Sequence, residues 1–302
     1  MQTITSMAIP IALYLFGIFS FTFPLVWLQK RRQKGKKSPL SGHLLRSPGT
    51  SLQARIENLN LDIMAYIAVF PTFPLLIYSV YLPLMQAEKT TNLSDFIILA
   101  SVFGVFLWVG FKVYRLMTER NNCRLGLDAE MAVGQELNQL MVEGCRVYHD
   151  FPAENFNIDH IVVGPTGVFS VETKGRTKAL KRKGKVDATV TYDGKLLQFP
   201  NSYETEPLLQ AQRQADWLRV WLTSAVGDSV YTQPVLVLPG WYVVRKADRP
   251  IKVISGKEAY SLAKPSGIHL SGEMVKRIAH QVEQRCRDVE PIAYRQEKKG
   301  IG

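Results

Sequence analysis

The sequence predicts an α/β fold with a mixed sheet, preceded by an N-terminal all-α membrane region of three helices. Residues 1–115 contain three long apolar runs, whereas residues 116–302 alternate helical and strand patterns and carry many charges. Two tight-turn motifs in the second part indicate antiparallel hairpins. We therefore predict a membrane anchor over residues 1–115, a folded domain over 116–290 and a basic tail over 291–302.

Each apolar run is long enough to cross a bilayer. The predicted spans cover about residues 8–28, 63–85 and 96–114, and the only charged side chain within them is Lys112. No positive charge precedes the first run, as it would in a cleaved signal peptide, so we predict a retained anchor. Prolines in the second run leave a hairpin or a buried helix as the alternative there.

The positive charges predict the orientation of this anchor. The connector over residues 29–62 carries eight Lys or Arg residues, while residues 86–95 contain only Lys89. The positive-inside rule then places the connector and everything after the third span in the cytoplasm, with the N-terminus outside. The chain is predicted to be a multi-pass protein of the inner (cytoplasmic) membrane. No ionisable residue occurs in the middle of a predicted span, which disfavours transport through these helices.

The composition favours an anionic partner. The net charge is +11, from 37 Lys and Arg residues against 26 Asp and Glu residues, so nucleic acid or acidic lipid would be attracted. The three cysteines are scattered without C-x-x-C spacing, which indicates neither a zinc site nor a disulfide framework and fits a reducing compartment; they are Cys123, Cys145 and Cys286.

The soluble part begins with a predicted helix over residues 127–144, where apolar residues recur at 129, 133, 137, 140 and 141. Asp128 is its predicted N-cap and Gly144 its predicted stop. A short strand in "CRVYHDF" follows. Two further strands are predicted over 157–164 and 167–174, joined by a Gly-Pro-Thr-Gly turn.

A second hairpin is predicted around Asp193-Gly194, followed by a helix over residues 204–224. "QPVLVLPG" predicts a buried strand, "IKVIS" a further strand, and helical patterns follow at 256–263 and 271–287. The sequence contains no G-x-G-x-x-G, no G-x-x-x-x-G-K-[ST] and no G-x-S-x-G motif. These absences disfavour phosphate-loop folds and serine-nucleophile hydrolases.

The first hairpin carries a candidate acid pair. If Gly164 and Gly167 close a two-residue turn, paired positions sum to 331, and Asp159 lies opposite Glu172 with Cβ atoms about 5 Å apart. A three-residue turn would spoil this pairing unless a bulge compensates. Lys174 shares the face of Glu172 because side chains alternate along a strand.

Two adjacent carboxylates repel each other unless a cation lies between them. Carboxylate oxygens suit Mg²⁺, which lowers the pKa of bound water and neutralises charge developing on a phosphodiester. Lys174 would orient or deprotonate the attacking water, or stabilise the pentacoordinate phosphate. The alternative is an edge hairpin whose charged side chains are simply solvated, because charges commonly protect sheet edges.

Three blocks, "VGQELNQL", "NFNIDHIVVGPTGVFSVETKG" and "EPLLQAQRQADWL", resemble the nuclease-related domain (NERD) family, a branch of the PD-(D/E)XK restriction-endonuclease-like superfamily. The resemblance covers residues 127–254, and the D…E-x-K signature falls on Asp159, Glu172 and Lys174. It implies a core of helix, antiparallel strands, helix and strand, with a nuclease-type site that uses Mg²⁺ or Mn²⁺.

The resemblance also assigns residues outside the hairpin. The family's helix glutamate corresponds to Glu136, which would complete metal coordination by Asp159 and Glu172. The family's glutamine matches Gln210, which joins the catalytic set, and Gln214 lies one helical turn later as a candidate nucleic-acid contact.

The segment from Lys174 to Lys185 carries seven Lys or Arg residues in twelve positions and no acid. It would contact phosphates that flank the scissile one. A mobile basic loop and a contact with anionic lipid headgroups are the alternatives. The candidate nucleic-acid-binding residues in it are Arg176, Lys178, Lys181, Arg182, Lys183 and Lys185.

These features together predict a membrane-anchored, Mg²⁺-dependent nuclease-type domain that faces the cytoplasm and hydrolyses phosphodiester bonds in nucleic acid, with DNA the expected substrate. The alternative is a membrane-tethered nucleic-acid-binding or scaffold protein without turnover. His160 points away from Asp159, and a structural role is predicted for it.

Overall fold

The computed structural model describes residues 39–70 except 41, 93–178, 188–247 and 249–291 except 266 and 268, with isolated positions between 16 and 32 and between 74 and 78. Most of the first predicted span, much of the second and the basic tail lie outside the described residues. The same holds for four of the candidate phosphate contacts, Lys181, Arg182, Lys183 and Lys185.

The chain divides into two compact units. One comprises Met1–Pro39, Ile56–Asn121 and Ile292–Gly302, and the other comprises Leu40–Arg55 and Asn122–Pro291. The second unit contains the α/β fold. It also includes Leu40–Arg55, a segment that the sequence placed in the connector of the membrane region.

Before the sheets, the bounds of two helices lie within the described residues: α1 spans Thr50–Val69 and α2 spans Leu93–Asn138. Within the described residues, one helical segment, Leu99–Glu143, contains a stretch that is long and apolar enough to cross a membrane by length and composition. The apolar residues of the predicted span over 96–114 are largely exposed, including Phe96, Phe103, Trp108, Phe111 and Tyr114. One candidate span, where three were predicted, is therefore found among the described residues.

The helix predicted to start at Asp128 starts much earlier. Asp128 lies inside α2, so its prediction as an N-cap is wrong. The physical reason is that residues 115–127 contain no proline and several strong helix formers, so nothing stops the helix before position 128. The predicted stop is confirmed, because a 3₁₀ turn over Gln139–Glu143 ends at Gly144 in the left-handed conformation, with φ of 80°.

Five strands form the main sheet of the described residues: β1 (Arg146–Pro152), β2 (Asn157–Gly164), β3 (Gly167–Thr173), β7 (Thr232–Val237) and β9 (Lys252–Ile254). Their order is β1-β2-β3-β7-β9. The β1–β2 and β2–β3 pairs are antiparallel, whereas β7 is parallel to β3 and to β9. The predicted mixed sheet is confirmed.

A second, smaller sheet contains β4 (Thr189–Tyr192), β5 (Leu197–Phe199), β6 (Ser202–Glu204) and β8 (Tyr242–Arg245), in the order β6-β5-β4-β8. The predicted hairpin at Asp193-Gly194 joins β4 to β5. The Asp193 carboxylate closes this turn by accepting hydrogen bonds from the backbone N–H groups of Lys195 and Leu196. The sequence did not predict β6 and β8.

Helices cover both faces of the main sheet. On one face, α3 (Glu206–Val226) and α4 (Gly272–Cys286) bury Leu218, Leu222 and Ile278 against β1, β2 and β3. On the other face, the end of α2 and the 3₁₀ helix Gly256–Leu262 enclose a core that contains Val133, Leu137, Val162, Val171 and Leu262. The predicted helices of this region are confirmed, with 256–263 forming a 3₁₀ helix.

The segment Leu40–Arg55 is bound to the α/β unit by specific contacts. The Arg46 guanidinium donates hydrogen bonds to Asp288 and to the Asp150 carboxylate, the latter at 2.9 Å. Asp150 also accepts hydrogen bonds from the Ser51 backbone N–H and hydroxyl at the start of α1. Leu44 pairs with Val289 through two backbone hydrogen bonds. We call Leu40–Arg55 the N-terminal strap.

Removal of the Arg46 side chain should destabilise the α/β unit. Asp150 is only 2% exposed, so Arg46→Ala would leave a buried carboxylate without its cation. We expect a loss of about 3 kcal/mol in the free energy of unfolding, measured by urea denaturation of the full-length protein in detergent. Arg213→Ala is the matched control, because its ion pair with Glu206 is exposed and should contribute less than about 1 kcal/mol. Equal losses in both variants would contradict this account of the strap.

Candidate functional site

The first hairpin has the predicted register. Gly164 pairs with Gly167 and His160 with Val171, so paired positions sum to 331 and the turn contains two residues. Asp159 and Glu172 occupy the next paired position of these antiparallel strands. The two acids therefore occupy neighbouring positions on adjacent strands.

Asp159 lies at the end of the β2–β3 hairpin, next to the backbone of Thr173. One of its carboxylate oxygens, Oδ2, accepts a hydrogen bond of 2.7 Å from the Thr173 backbone N–H. Burial raises the pKa of Asp159 to about 7, although this hydrogen bond and the charge of Lys174 favour the ionised form. An acid in this state is ready to gain or lose a proton near neutral pH.

Glu172 is buried, and its carboxylate is held by α3. Gln214 donates a hydrogen bond of 2.6 Å from Nε2 to Glu172 Oε2, and a weaker one of 3.3 Å to the Asn157 carbonyl oxygen. Burial and the charge of Asp159 raise the pKa of Glu172 well above its ordinary value, against the opposing effects of Gln214 and Lys174. Gln214 thus fixes the orientation of one acid of the pair.

Lys174 follows β3 and is half-buried. Its backbone N–H donates to the Val237 carbonyl oxygen at 3.0 Å, which fixes its main chain at the ends of β3 and β7. Its charge lowers the pKa of both Asp159 and Glu172. The structure therefore brings together the three residues of the predicted D…E-x-K signature.

A third acid, Glu130 of α2, belongs to this group and was missed by the sequence analysis. Burial, together with the charges of Asp159 and Asp150, raises the pKa of Glu130 to about 9, although a hydrogen bond from the Gly49 backbone N–H favours the ionised form. Gly175 allows this approach, because a Cβ at that position would lie 2.9 Å from both the Ala129 Cβ and the Leu125 carbonyl oxygen. The close contact brings this turn of α2 next to the end of β3.

Glu136, the predicted helix glutamate, is located elsewhere. Six residues along a helix correspond to a rotation of about 600°, so Glu130 and Glu136 project about 120° apart. Glu136 is half-exposed and accepts a long hydrogen bond of 3.4 Å from Gln139. One signal did point to Glu130: it precedes Val133 by three positions and Leu137 by seven, which places it beside the buried stripe of the helix.

Asp150 is a fourth acid of the neighbourhood, on β1, but its carboxylate is already occupied. Besides Arg46 and Ser51, Asn157 donates a hydrogen bond of 3.1 Å to it. Its backbone has φ of 48°, a left-handed conformation that interrupts the β1–β2 ladder at this position. Asp150 thus influences the site through its charge, which raises the pKa of Asp159 and Glu130.

The donor chemistry of the site fits a hard divalent cation. Asp159, Glu172 and Glu130 supply carboxylate oxygens, and ionising all three in a buried site requires compensating positive charge. The Gln214 Oε1 atom is buried and has no hydrogen-bond partner among the described residues. Within the same residues, no group of three or more His, Cys, Asp or Glu side chains is gathered at metal-ligand separations. The fit therefore rests on the chemistry of the donors.

The other predicted residues are placed as follows. Gln210 is half-buried, one turn before Gln214 on α3. Arg176 binds within the protein: its guanidinium pairs with Glu204, donates to Ser202 and lies over the Phe199 ring. Lys178 is exposed.

His160 of β2 is fully buried. Its Nδ1 atom is 2.9 Å from Nδ1 of His149, and the two rings are perpendicular. Burial lowers the pKa of both histidines, that of His149 to about 4. A neutral, packed pair fits the predicted structural role.

A family model described as "Nuclease-related domain" (NERD) matches residues 125–239. The matched region runs from α2 through β1–β7 and α3, and it contains Glu130, Asp159, Glu172, Lys174 and Gln214. It covers somewhat more than a third of the chain. No curated protein and no solved structure matches the chain.

The raised pKa of Glu130 predicts how the metal-free protein responds to alkali. Because its pKa in the folded state, about 9, exceeds the ordinary value, its contribution to stability is complete below about pH 4 and is lost as the pH rises through 9. In EDTA, the free energy of unfolding of the wild type should fall as the pH rises from about 6.5 to 9. In Glu130→Gln this fall should be smaller, by at least about 1 kcal/mol. This window lies above the ordinary pKa of histidine, so the His149–His160 pair does not contribute.

Glu136→Gln is the control for this measurement and should follow the wild-type curve. A Glu130→Gln curve parallel to that of the wild type would show that Glu130 is not a buried acid of this site.

Proposed function

We propose that the α/β unit is a metal-dependent, nuclease-type domain that hydrolyses phosphodiester bonds in nucleic acid, with DNA as the expected substrate. The observation that carries this proposal is the placement of Asp159 beside Glu172, with Lys174 two residues further along the chain, within the region that matches the nuclease-related domain. Buried carboxylates next to a lysine are the groups that such hydrolysis requires.

Each residue has a role in this proposal. Asp159, Glu172 and Glu130 would hold Mg²⁺ or Mn²⁺, which when bound lowers the pKa of a water ligand and neutralises charge on the phosphodiester. The Lys174 ammonium would orient the attacking water or stabilise negative charge on the phosphate. Gln214, through its hydrogen bond to Glu172, would keep that carboxylate in position. Gln210 stays a candidate from the resemblance alone.

Membrane attachment is part of the proposal. The apolar part of α2 exposes large side chains in a pattern suited to lipid, and the sequence provides two further apolar runs over 8–28 and 63–85. The basic connector supports a position of the α/β unit on the cytoplasmic side of the inner membrane, by the positive-inside rule. The nuclease-type domain would thus act on nucleic acid close to the membrane surface.

The alternative function is a membrane-tethered protein that binds nucleic acid without turnover. One observation favours it: the described carboxylates are not gathered into a metal-binding cluster. Salt-sensitive nucleic-acid binding that is unchanged by Glu172→Gln, in a protein without cleavage activity, would support this alternative.

A cleavage assay tests the proposal. The full-length protein in detergent is incubated with single-stranded and duplex DNA and RNA, with Mg²⁺, Mn²⁺ or EDTA. Glu172→Gln and Glu130→Gln should each lower the metal-dependent rate by about a hundredfold or more, because each removes a negative charge at the site without changing its size. Glu136→Gln, on the same helix, should retain the wild-type rate within a few fold.

Absence of cleavage by the wild type with every substrate and metal would refute the catalytic proposal. Loss of activity in Glu136→Gln, with Glu130→Gln unaffected, would show that Glu136 and not Glu130 is the helix glutamate of the site.

Metal binding should be visible without any substrate. Mn²⁺ should raise the thermal midpoint of the full-length protein more at about pH 8 than at about pH 5.5, because the carboxylates must lose protons before they bind a cation. Glu172→Gln should abolish most of this difference. An equal shift at both pH values, or in both proteins, would indicate that the metal binds elsewhere.

A further inference from the structure

The small sheet has one open face that runs across all four of its strands. The registers pair Tyr203 with Gln198, Gln198 with Thr191 and Thr191 with Val244, so these four side chains form one row on the same face. Thr189 and Tyr242 form a second, adjacent pair. We call these six residues the open sheet face: Thr189, Thr191, Gln198, Tyr203, Tyr242 and Val244.

The two tyrosines dominate this face. Tyr203 is 68% exposed and Tyr242 is 70% exposed. Neither contributes to the core of the small sheet, because the opposite face carries the buried residues Val190, Tyr192, Leu197, Phe199 and Val243. The tyrosines lie on the two outer strands, three strand spacings or about 14 Å apart across the sheet.

The open sheet face is connected directly to the acid site. Val237, the last residue of β7, pairs with Thr173, and the chain reaches β8 at Tyr242. Across this link the Trp241 indole N–H donates to the Arg176 carbonyl oxygen at 3.3 Å. Arg176 follows Lys174 by two positions. The chain therefore passes from the end of β7, which pairs with Thr173, directly into β8 of the small sheet.

The charges around this face suit an anionic chain. Lys178, Lys195 and Lys246 are exposed at its borders. Of the acids that the structure describes near this face, Asp193 binds backbone N–H groups in its turn and Glu204 pairs with Arg176. Lysines can contact backbone phosphates while tyrosine rings stack on bases.

We propose that the open sheet face binds the bases of single-stranded nucleic acid next to the acid site. Stacking on a flat tyrosine requires an unstacked base, which a single strand or an unpaired flap provides and an intact duplex does not. The inference rests on the proposed function for the identity of the site, but it concerns binding and holds whether or not the protein cleaves. It names the substrate class as single-stranded or partly unpaired nucleic acid.

The test measures binding of labelled single-stranded DNA, and of the same sequence as a blunt duplex, to full-length protein in detergent. Glu172→Gln serves as the background so that the probe is not cut. Tyr203→Ala and Tyr242→Ala should each weaken single-strand binding about tenfold, while Tyr203→Phe and Tyr242→Phe should keep the affinity, because the aromatic ring carries the interaction. Tyr231→Ala is the matched control, since Tyr231 is an exposed tyrosine outside this face.

The outcomes separate this inference from the proposed function. Unchanged single-strand affinity in the Tyr203→Ala and Tyr242→Ala variants overturns the inference. An equal loss of affinity for the duplex, or an equal loss of single-strand affinity in Tyr231→Ala, also overturns it. So does a protein that binds no nucleic acid at all. Cleavage by the wild type together with unchanged Tyr→Ala affinity leaves the proposed function intact. Tyrosine-dependent single-strand binding without any cleavage supports this inference and refutes the catalytic proposal.

Discussion

The site depends on one electrostatic constraint: buried carboxylates are held next to each other where a β-hairpin meets a helix. Asp159 and Glu172 are adjacent because the turn between Gly164 and Gly167 contains two residues. Burial raises the pKa of all three acids, Asp159, Glu172 and Glu130. Repulsion between carboxylates adds to this effect: Asp159 acts on Glu172 and Glu130, and Asp150 acts on Asp159 and Glu130. Such an arrangement is unfavourable for folding alone, so its presence is best explained by a ligand that carries positive charge.

The surrounding structure counteracts this repulsion with a small number of contacts. Gln214 and the Thr173 backbone N–H hold the acid pair, and Lys174 supplies a nearby positive charge. Asp150 adds a further negative charge near the group, and Arg46 and Ser51 of the N-terminal strap bind its carboxylate. The strap, which precedes the apolar part of α2 in sequence, thus contributes to the charge balance of a site formed mainly by residues that follow it.

The sequence contains enough information to predict the hairpin but not everything that surrounds it. Strand alternation and turn length determine the position of Asp159 relative to Glu172, and both can be obtained from local sequence. The choice between Glu130 and Glu136 depends on where α2 lies against β3, which the contact at Gly175 determines. β6 and β8 have only three and four residues and, unlike the equally short β4 and β5, no Asp-Gly turn marks them in the sequence. Arg46 and its neighbours have the composition of a connector, so their packing could not be predicted.

The N-terminal strap has a consequence for membrane topology. Residues 40–55 and 122–291 fold into one unit, joined by contacts such as that between Arg46 and Asp150, so both segments must lie on the same side of any bilayer that the chain crosses. A chain that leaves one side and returns to it crosses an even number of times. If α2 spans the membrane, a second crossing must therefore lie between residues 56 and 121, and the apolar run over 63–85 is long enough to provide it. An ion pair in the folded unit thereby restricts the number of crossings in this segment to an even value and rules out a single pass.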